Sequence, residues 1–357
     1  MSAWRLAGLG LTLIAVVSIS LQRSMPQLAS TPVVVGPPSV VHAPVADLQL
    51  SAAVVDHWHV HLSWQMPADW HPSAMTLYRS TTDLREGKLD VVHTPVTVLP
   101  QQVGSADVVD DTVPDNATLY YQLGVRQSKL AFSNVVRVKV PNVPLPPLQH
   151  PLLWIDKLHY TLEVREGDTP VKRYPLALGK NPVGRKLHQD NSTTPEGFYR
   201  ICGRQPEAQF YRAFDVDYPN GLDKIRYDFA GQHGLLGADG PDIGGEIQIH
   251  GQSIHHNWTF GCMAMRQLDI DELFDHPEIG VGTPIVIVGS ELTADDVAAI
   301  RSGPTDAQWS AIEQRLPTMD RDHLDARIVL KYQFEHHLPL TGALDTRTLR
   351  SITEVAQ

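Results

Sequence analysis

Only two cysteines, Cys202 and Cys262, occur among 357 residues, too few and too far apart for a disulfide framework. Basic residues are also scarce, with 29 Lys and Arg against 40 Asp and Glu and a formal net charge of -11. Phosphate binding needs clustered Lys and Arg, and no such cluster is found, so a nucleic-acid partner is not expected. The chain has 17 histidines but neither an H-E-x-x-H nor a paired C-x-x-C. The reading is therefore no metal and no cofactor. The loop Gly179-Lys180-Asn181-Pro182-Val183-Gly184 lacks the spacing of a phosphate cradle. What is present is ordinary for a globular chain, 42% hydrophobic and 19% charged, which argues against wholesale disorder. The length suits about two to four domains.

Residues 6–21 form a run without an ionisable group, preceded by Arg5 and followed by Gln22-Arg23. Residues 1–23 read as a secretory signal or an uncleaved membrane anchor, so the protein is expected in a bacterial cell envelope, periplasmic or exported. Contact with a membrane is expected only through this segment. Residues 24–45, rich in Pro, Val, Ser and Ala, read as an extended linker.

Over residues 46–142 the pattern changes to short alternating segments, His59-Val60-His61-Leu62-Ser63-Trp64 and Leu119-Tyr120-Tyr121-Gln122-Leu123 among them, separated by turn clusters such as Pro114-Asp115-Asn116. This is the signature of an all-β sandwich, with Trp64 and Tyr121 in its core. The segments L-S-W, T-L-Y-R, L-Y-Y-Q-L and S-N-V-V-R-V resemble a fibronectin type III domain, and a spacer or protein-contact role is expected of it. His57, His59 and His61 read as a solvated strand face. The proline-rich run at 141–147 ends the sandwich.

The chemistry concentrates in residues 247–266, I-Q-I-H-G-Q-S-I-H-H-N-W-T-F-G-C-M-A-M-R. A thiol and an imidazole on neighbouring segments are the minimum parts of a cysteine nucleophile system. Cys262 is the candidate nucleophile and His250 its base, with His255 and His256 nearby as alternatives for that role or as loop residues over a groove. A free thiol with a pKa of about 8.5 is only a few per cent ionised at neutral pH, so an adjacent base is needed. Gly261 leaves room for a substrate carbonyl to approach the N–H groups of Gly261 and Cys262. Thr259 reads as orienting the histidine or as satisfying the loop backbone.

His250-Gly251 followed by Thr259-Phe260-Gly261-Cys262 resembles the active-site segment of the L,D-transpeptidase catalytic domain, the YkuD family. The resemblance spans residues 150–290 and includes Thr194-Pro195-Glu196-Gly197-Phe198-Tyr199, Asp217-Tyr218-Pro219-Asn220 and Gly282-Thr283-Pro284-Ile285-Val286-Ile287 in the family's order. It implies a mostly β domain with the cysteine on a rim loop, Cys262 and His250 as catalytic residues, and Gly251, Tyr211, Tyr218, His255 and His256 along the substrate groove, with a core role equally open for Tyr218 and His233 a weaker candidate for that rim. The substrate it implies is a peptidoglycan stem peptide, acylated onto the cysteine and passed to an amine, with a wall-linked protein as another acceptor. This chain has Phe260 and Ala264 where many members have histidine and arginine. Its G-C-x-A-M form is similar to a subgroup that includes enzymes cutting links to peptidoglycan, so transfer to water is the alternative. A wall-binding scaffold without catalysis is the third reading. Cys202 reads as structural.

Residues 291–357 turn helical, with Thr293 as N-cap and Val297, Ile300, Trp309, Ile312 and Leu316 at helical spacing. Tyr332-Gln333, then Leu338-Pro339-Leu340-Thr341-Gly342-Ala343-Leu344-Asp345, resembles the helical peptidoglycan-binding-like domain. The expected whole is a mainly β multidomain protein: sandwich, mostly β catalytic domain, small α-helical C-terminal domain.

Overall fold

Alternating burial along short strands builds the first ordered part of the chain. A computed structural model describes residues 44–85, 95–237, 240–319, 321–322 and 324–354. The expected signal or anchor at 1–23, and all of the 24–45 linker but its last two residues, lie outside the described residues.

Strands β1 (Gln49–Val54), β2 (Val60–Gln65), β3 (Ala74–Ser80), β4 (Val96–Gln101), β5 (Asp107–Asp110), β6 (Thr118–Arg126), β7 (Leu130–Phe132) and β8 (Val136–Lys139) form two sheets. One has the order β1-β2-β5; the other runs β4-β3-β6-β7, with β8 also pairing β6. Along β2, Val60, Leu62 and Trp64 point inward while His61 and Ser63 alternate outward, the period of a half-buried strand. They meet Leu77, Tyr121 and Leu123 in one core.

That sandwich also reaches the next domain through polar contacts. Arg79, buried with Asp110, donates to both carboxylate oxygens at 2.9 and 2.7 Å, and Tyr121 donates its hydroxyl to the same carboxylate at 2.9 Å. The second guanidinium nitrogen donates to the carbonyl of His159 at 3.0 Å. Arg266 donates to Asn116 O at 2.8 Å, and Thr82 donates its hydroxyl to His255 O at 3.2 Å. A module expected to act as a spacer is thus hydrogen-bonded to the segments that flank Cys262.

The second domain contains β9 (Pro151–Asp156), β10 (Thr161–Glu166), β11 (Thr169–Pro175), β12 (Gly197–Ala208), β13 (Tyr211–Val216), α1 (Gly221–Gln232), β14 (Gln248–Gln252), β15 (Met263–Arg266), α2 (Gln267–Asp275) and β16 (Pro284–Val288). Its eight strands lie in the order β11-β10-β9-β16-β12-β13-β14-β15. Just past β11, Ala177 exchanges two backbone hydrogen bonds with Ala264 of β15, 3.0 and 2.9 Å. The sheet therefore curls until its two edges touch, which removes exposed edge groups and encloses a core of Leu153, Leu162, Tyr174, Phe214, Ile249 and Met263. Helix α1 starts at a capping box in which Asn220 and Asp223 satisfy each other's backbone N–H.

Helices α3 (Ala294–Ser302), α4 (Asp306–Arg315), α5 (Ala326–Glu335) and α6 (Thr346–Glu354) complete the chain. Thr293 caps α3 as its sequence position implies, in a capping box with Asp296. Leu292 and Val297 cover Trp154 and Val286 on the outer face of β9 and β16. Trp309, Ile312, Val329, Leu349 and Ile352 form the separate helical core. Arg226 of α1 donates to Thr341 O, joining helical and catalytic parts. Among the described residues no helix is long and apolar enough to cross a membrane.

Candidate active site

Two adjoining parallel strands carry the candidate pair. In β14 and β15, Ile249 lies opposite Met263 and His250 opposite Ala264. Ile249 and Met263 face the core. Side chains alternate across a strand, so His250, Ala264 and the residue just before β15, Cys262, share the other face. Continued one residue before the β15 register, the same alternation sets Cys262 at the position diagonal to His250.

His250 is only 1% exposed. Its Nδ1 lies 2.9 Å from the carbonyl oxygen of Gly251, which can only accept, so Nδ1 carries the proton. Nε2 is then the lone-pair nitrogen, and it is buried without a hydrogen-bond partner. Phe210 and Trp258 wall the ring, with centroids at 5.2 and 5.5 Å. Burial holds the imidazole below its ordinary pKa, with the Gly251 carbonyl opposing. The ring is therefore neutral at neutral pH, the form a general base requires.

Cys262 is partly exposed, and its Sγ donates to the carbonyl of Glu246 at 3.5 Å. Burial pushes this thiol up. Backbone N–H groups of Gln248 and Cys262 and the ammonium of Lys186 pull it down, and Glu246 raises it again. Cys262 and His250 are not hydrogen-bonded to each other in this resting arrangement. Glu246, whose carbonyl accepts from the sulfur, also lines a cavity of about 510 Å³ together with Lys186, Gln189, Asp190, Phe260 and the pair Gly244-Gly245.

The turn that presents the cysteine is tightly determined. Thr259 donates its hydroxyl to Cys262 O at 2.8 Å and accepts from Gly261 N at 3.1 Å. Of the two readings for Thr259, it braces the loop backbone; it makes no hydrogen bond to the imidazole. The Gly261 N–H is consequently engaged by the Thr259 hydroxyl, and of the two amides expected to face an oxyanion that of Cys262 is the one that holds the thiol's pKa down. Gly261 adopts φ +134°, and a Cβ there would meet Thr193 O at 2.7 Å, so no other residue fits.

The remaining groove candidates divide. Tyr211 is 39% exposed, packs on Gly251 and hydrogen-bonds Asp271 at 3.0 Å. Of its two readings Tyr218 takes the core one, 5% exposed, its hydroxyl donating to Ile243 O, because the turn after β13 directs it inward against Tyr199. His255 and His256 are exposed on the loop after β14, and His255 touches the sandwich through its carbonyl. His233 caps α1 and stacks on Phe229 at 3.9 Å, in the groove between α1 and α5. Cys202 is exposed on β12, and both thiols are free. Sequence reasoning missed Phe210, Trp258, Glu246 and Lys186. Trp258 lay inside the motif stretch, but nothing in its spacing marks a wall for the imidazole.

Residues 150–287 match the model of the YkuD family, the L,D-transpeptidase catalytic domain. The match is confined to this part of the chain, residues 150–287, which is similar to an L,D-transpeptidase catalytic domain. No curated protein matches the chain. Similar solved structures include L,D-transpeptidases from Xylanimonas cellulosilytica, at 15% identity and TM-score 0.26 over 41% of this chain and 64% of that one, and from Stackebrandtia nassauensis, at 12% and 0.26 over 40% and 56%. L,D-transpeptidase 1 of Mycobacterium tuberculosis is similar at 12% identity and TM-score 0.25, over 68% of this chain and 87% of that one. The chain thus spans less than two thirds of the first two structures. Overlaps this weak carry no functional argument.

Proposed function

We propose that the protein is a cysteine acyltransferase of the cell wall, acting on peptidoglycan stem peptides through Cys262 and His250. The observation that carries this reading is the unpartnered Nε2 of His250 on the same sheet face as the thiol. A buried nitrogen with no partner costs stability, about 1–3 kcal/mol, and such groups persist where chemistry uses them.

When a stem peptide enters, the thiol exchanges the Glu246 carbonyl for His250 Nε2, which takes its proton. The sulfur attacks the acyl carbonyl, and the oxyanion forms beside the Cys262 N–H. As the C–N bond breaks, His250 returns the proton to the departing amine and a thioester remains. An acceptor amine then attacks the thioester while His250 again holds the transferred proton, and the thiol is regenerated. If water replaces the amine, the same steps release a free carboxylate. The first domain and the helical C-terminal domain serve as docking and wall-binding parts, and residues 1–23 direct export to the envelope.

The test is mass spectrometry of purified peptidoglycan fragments after incubation with wild type and with Cys262→Ala. Crosslinked or protein-linked products from wild type alone support transfer, and trimmed stems alone make the enzyme a hydrolase. Identical products from the two proteins would overturn the cysteine mechanism in favour of a wall-binding scaffold.

A further inference from the structure

Three lysines of the catalytic domain are almost fully buried, and two have carboxylate partners: Lys157 with Glu196 at 3.0 Å, and Lys172 with Glu272 at 3.3 Å. Lys186, 4% exposed, forms no ion pair with a carboxylate among the described residues. Its Nζ donates to three backbone carbonyls, His188 at 3.3 Å, Gln189 at 3.5 Å and Phe260 at 3.2 Å. Removing an ammonium from water costs several kcal/mol unless an opposite charge compensates. Carbonyl dipoles meet part of that cost but leave the net charge unbalanced. Phe260 is two residues before Cys262, and Lys186 shares a cavity wall with Phe260 and Glu246, the residue whose carbonyl accepts from the cysteine sulfur.

We propose that Lys186 is a positioning residue for the nucleophile, holding the Phe260 carbonyl in the turn and standing as the counter-charge to the Cys262 thiolate. When the thiol proton passes to His250, the new negative charge on sulfur meets a cation already in place, so no ion or solvent has to move. The groups whose fields bear on this are few. Burial lowers the Lys186 pKa, while Cys262 and then Asp190 raise it; around the sulfur, Lys186 acts against Glu246. This inference rests on Cys262 being the nucleophile.

The experiment is alkylation of Cys262 by iodoacetamide across pH, read by intact mass in the full chain carrying Cys202→Ser. In Lys186→Met the midpoint of the rate–pH curve moves up by about one unit or more, and the rate at pH 7 falls about tenfold. Lys186→Arg returns both toward the parent. Lys186→Gln retains N–H donors for the carbonyls without the charge, so it separates charge from bracing and serves if the methionine variant does not fold. Its midpoint must rise as well. A folded Lys186→Gln with the parent's midpoint overturns the proposal. Alkylation reports on the thiol whatever the substrate, so this failure is distinguishable from a failure of the peptidoglycan reading, which Cys262→Ala tests separately.

Discussion

His250 Nδ1 donates to the carbonyl of Gly251 at 2.9 Å, and this single bond decides which imidazole nitrogen faces the chemistry. Because the bond lies between neighbouring residues of β14, the tautomer is set by the strand itself and needs no distant acidic residue. Replacing His250 with Gln keeps the size and removes the base. Thioester formation, followed by mass spectrometry with a stem peptide, should fall about 10²–10⁴-fold.

The buried, neutral state of His250 has a pH signature. Its folded pKa lies below the unfolded value of about 6.5, so the unfolded chain binds more protons as acidity rises. The contribution to stability is fully present above about pH 6.5 and is lost as pH falls from there through the folded pKa. Urea midpoints measured against pH should show this loss in wild type, and the His250→Gln chain should lack that component.

Thr259 holds the nucleophile turn by two hydrogen bonds, to Cys262 O and from Gly261 N. Thr259→Val strands both buried partners and should cost about 1–3 kcal/mol of stability, while Thr259→Ser retains most of it. Thermal unfolding of the two variants checks the ordering.

Gly261→Ala should be more damaging to function than its size suggests. The added methyl meets the Thr193 carbonyl at 2.7 Å, and the backbone is held at φ +134°. The turn has to move, taking Cys262 with it, and a strained backbone of this kind costs about 1–3 kcal/mol. Product formation should fall more steeply than the melting temperature.

In the sandwich, Arg79→Leu removes the cation from a fully buried carboxylate. Burial pushes Asp110 up, but Arg79 and Thr112 outweigh it and hold its carboxyl below the ordinary value. The stability this carboxylate contributes is present above about pH 4 and is lost as pH falls through its folded pKa. Breaking such a pair costs about 3–5 kcal/mol, measured by denaturant unfolding at neutral pH. Arg79 also holds the His159 carbonyl, so the junction of the two domains should loosen with it.

The candidate cysteine and histidine stand out in the chain because their signal is local: a Gly-Cys turn, and a histidine on an alternating strand that ends in glycine. Trp64 and Tyr121 were legible as core for the same reason, since strand period alone directs them inward. Thr259 lay in the motif, yet its role depended on which backbone atoms the turn brings within reach. Tyr218 shows the opposite limit, a residue of a groove-like segment that the fold buries against Tyr199.

By itself, then, the order of residues determined the β character of the first two parts and singled out the candidate cysteine–histidine pair, because propensity, alternation and short-range motifs act over a few residues. Tertiary structure alone decided that β9 runs beside β16, that Ala177 closes the sheet on Ala264, that Phe210 and Trp258 wall the imidazole, and that Lys186 shares a cavity wall with Phe260 and Glu246. Apart from Trp258, these partners are far apart in the chain, and what joins them is burial of a shared core, which no short window of residues encodes.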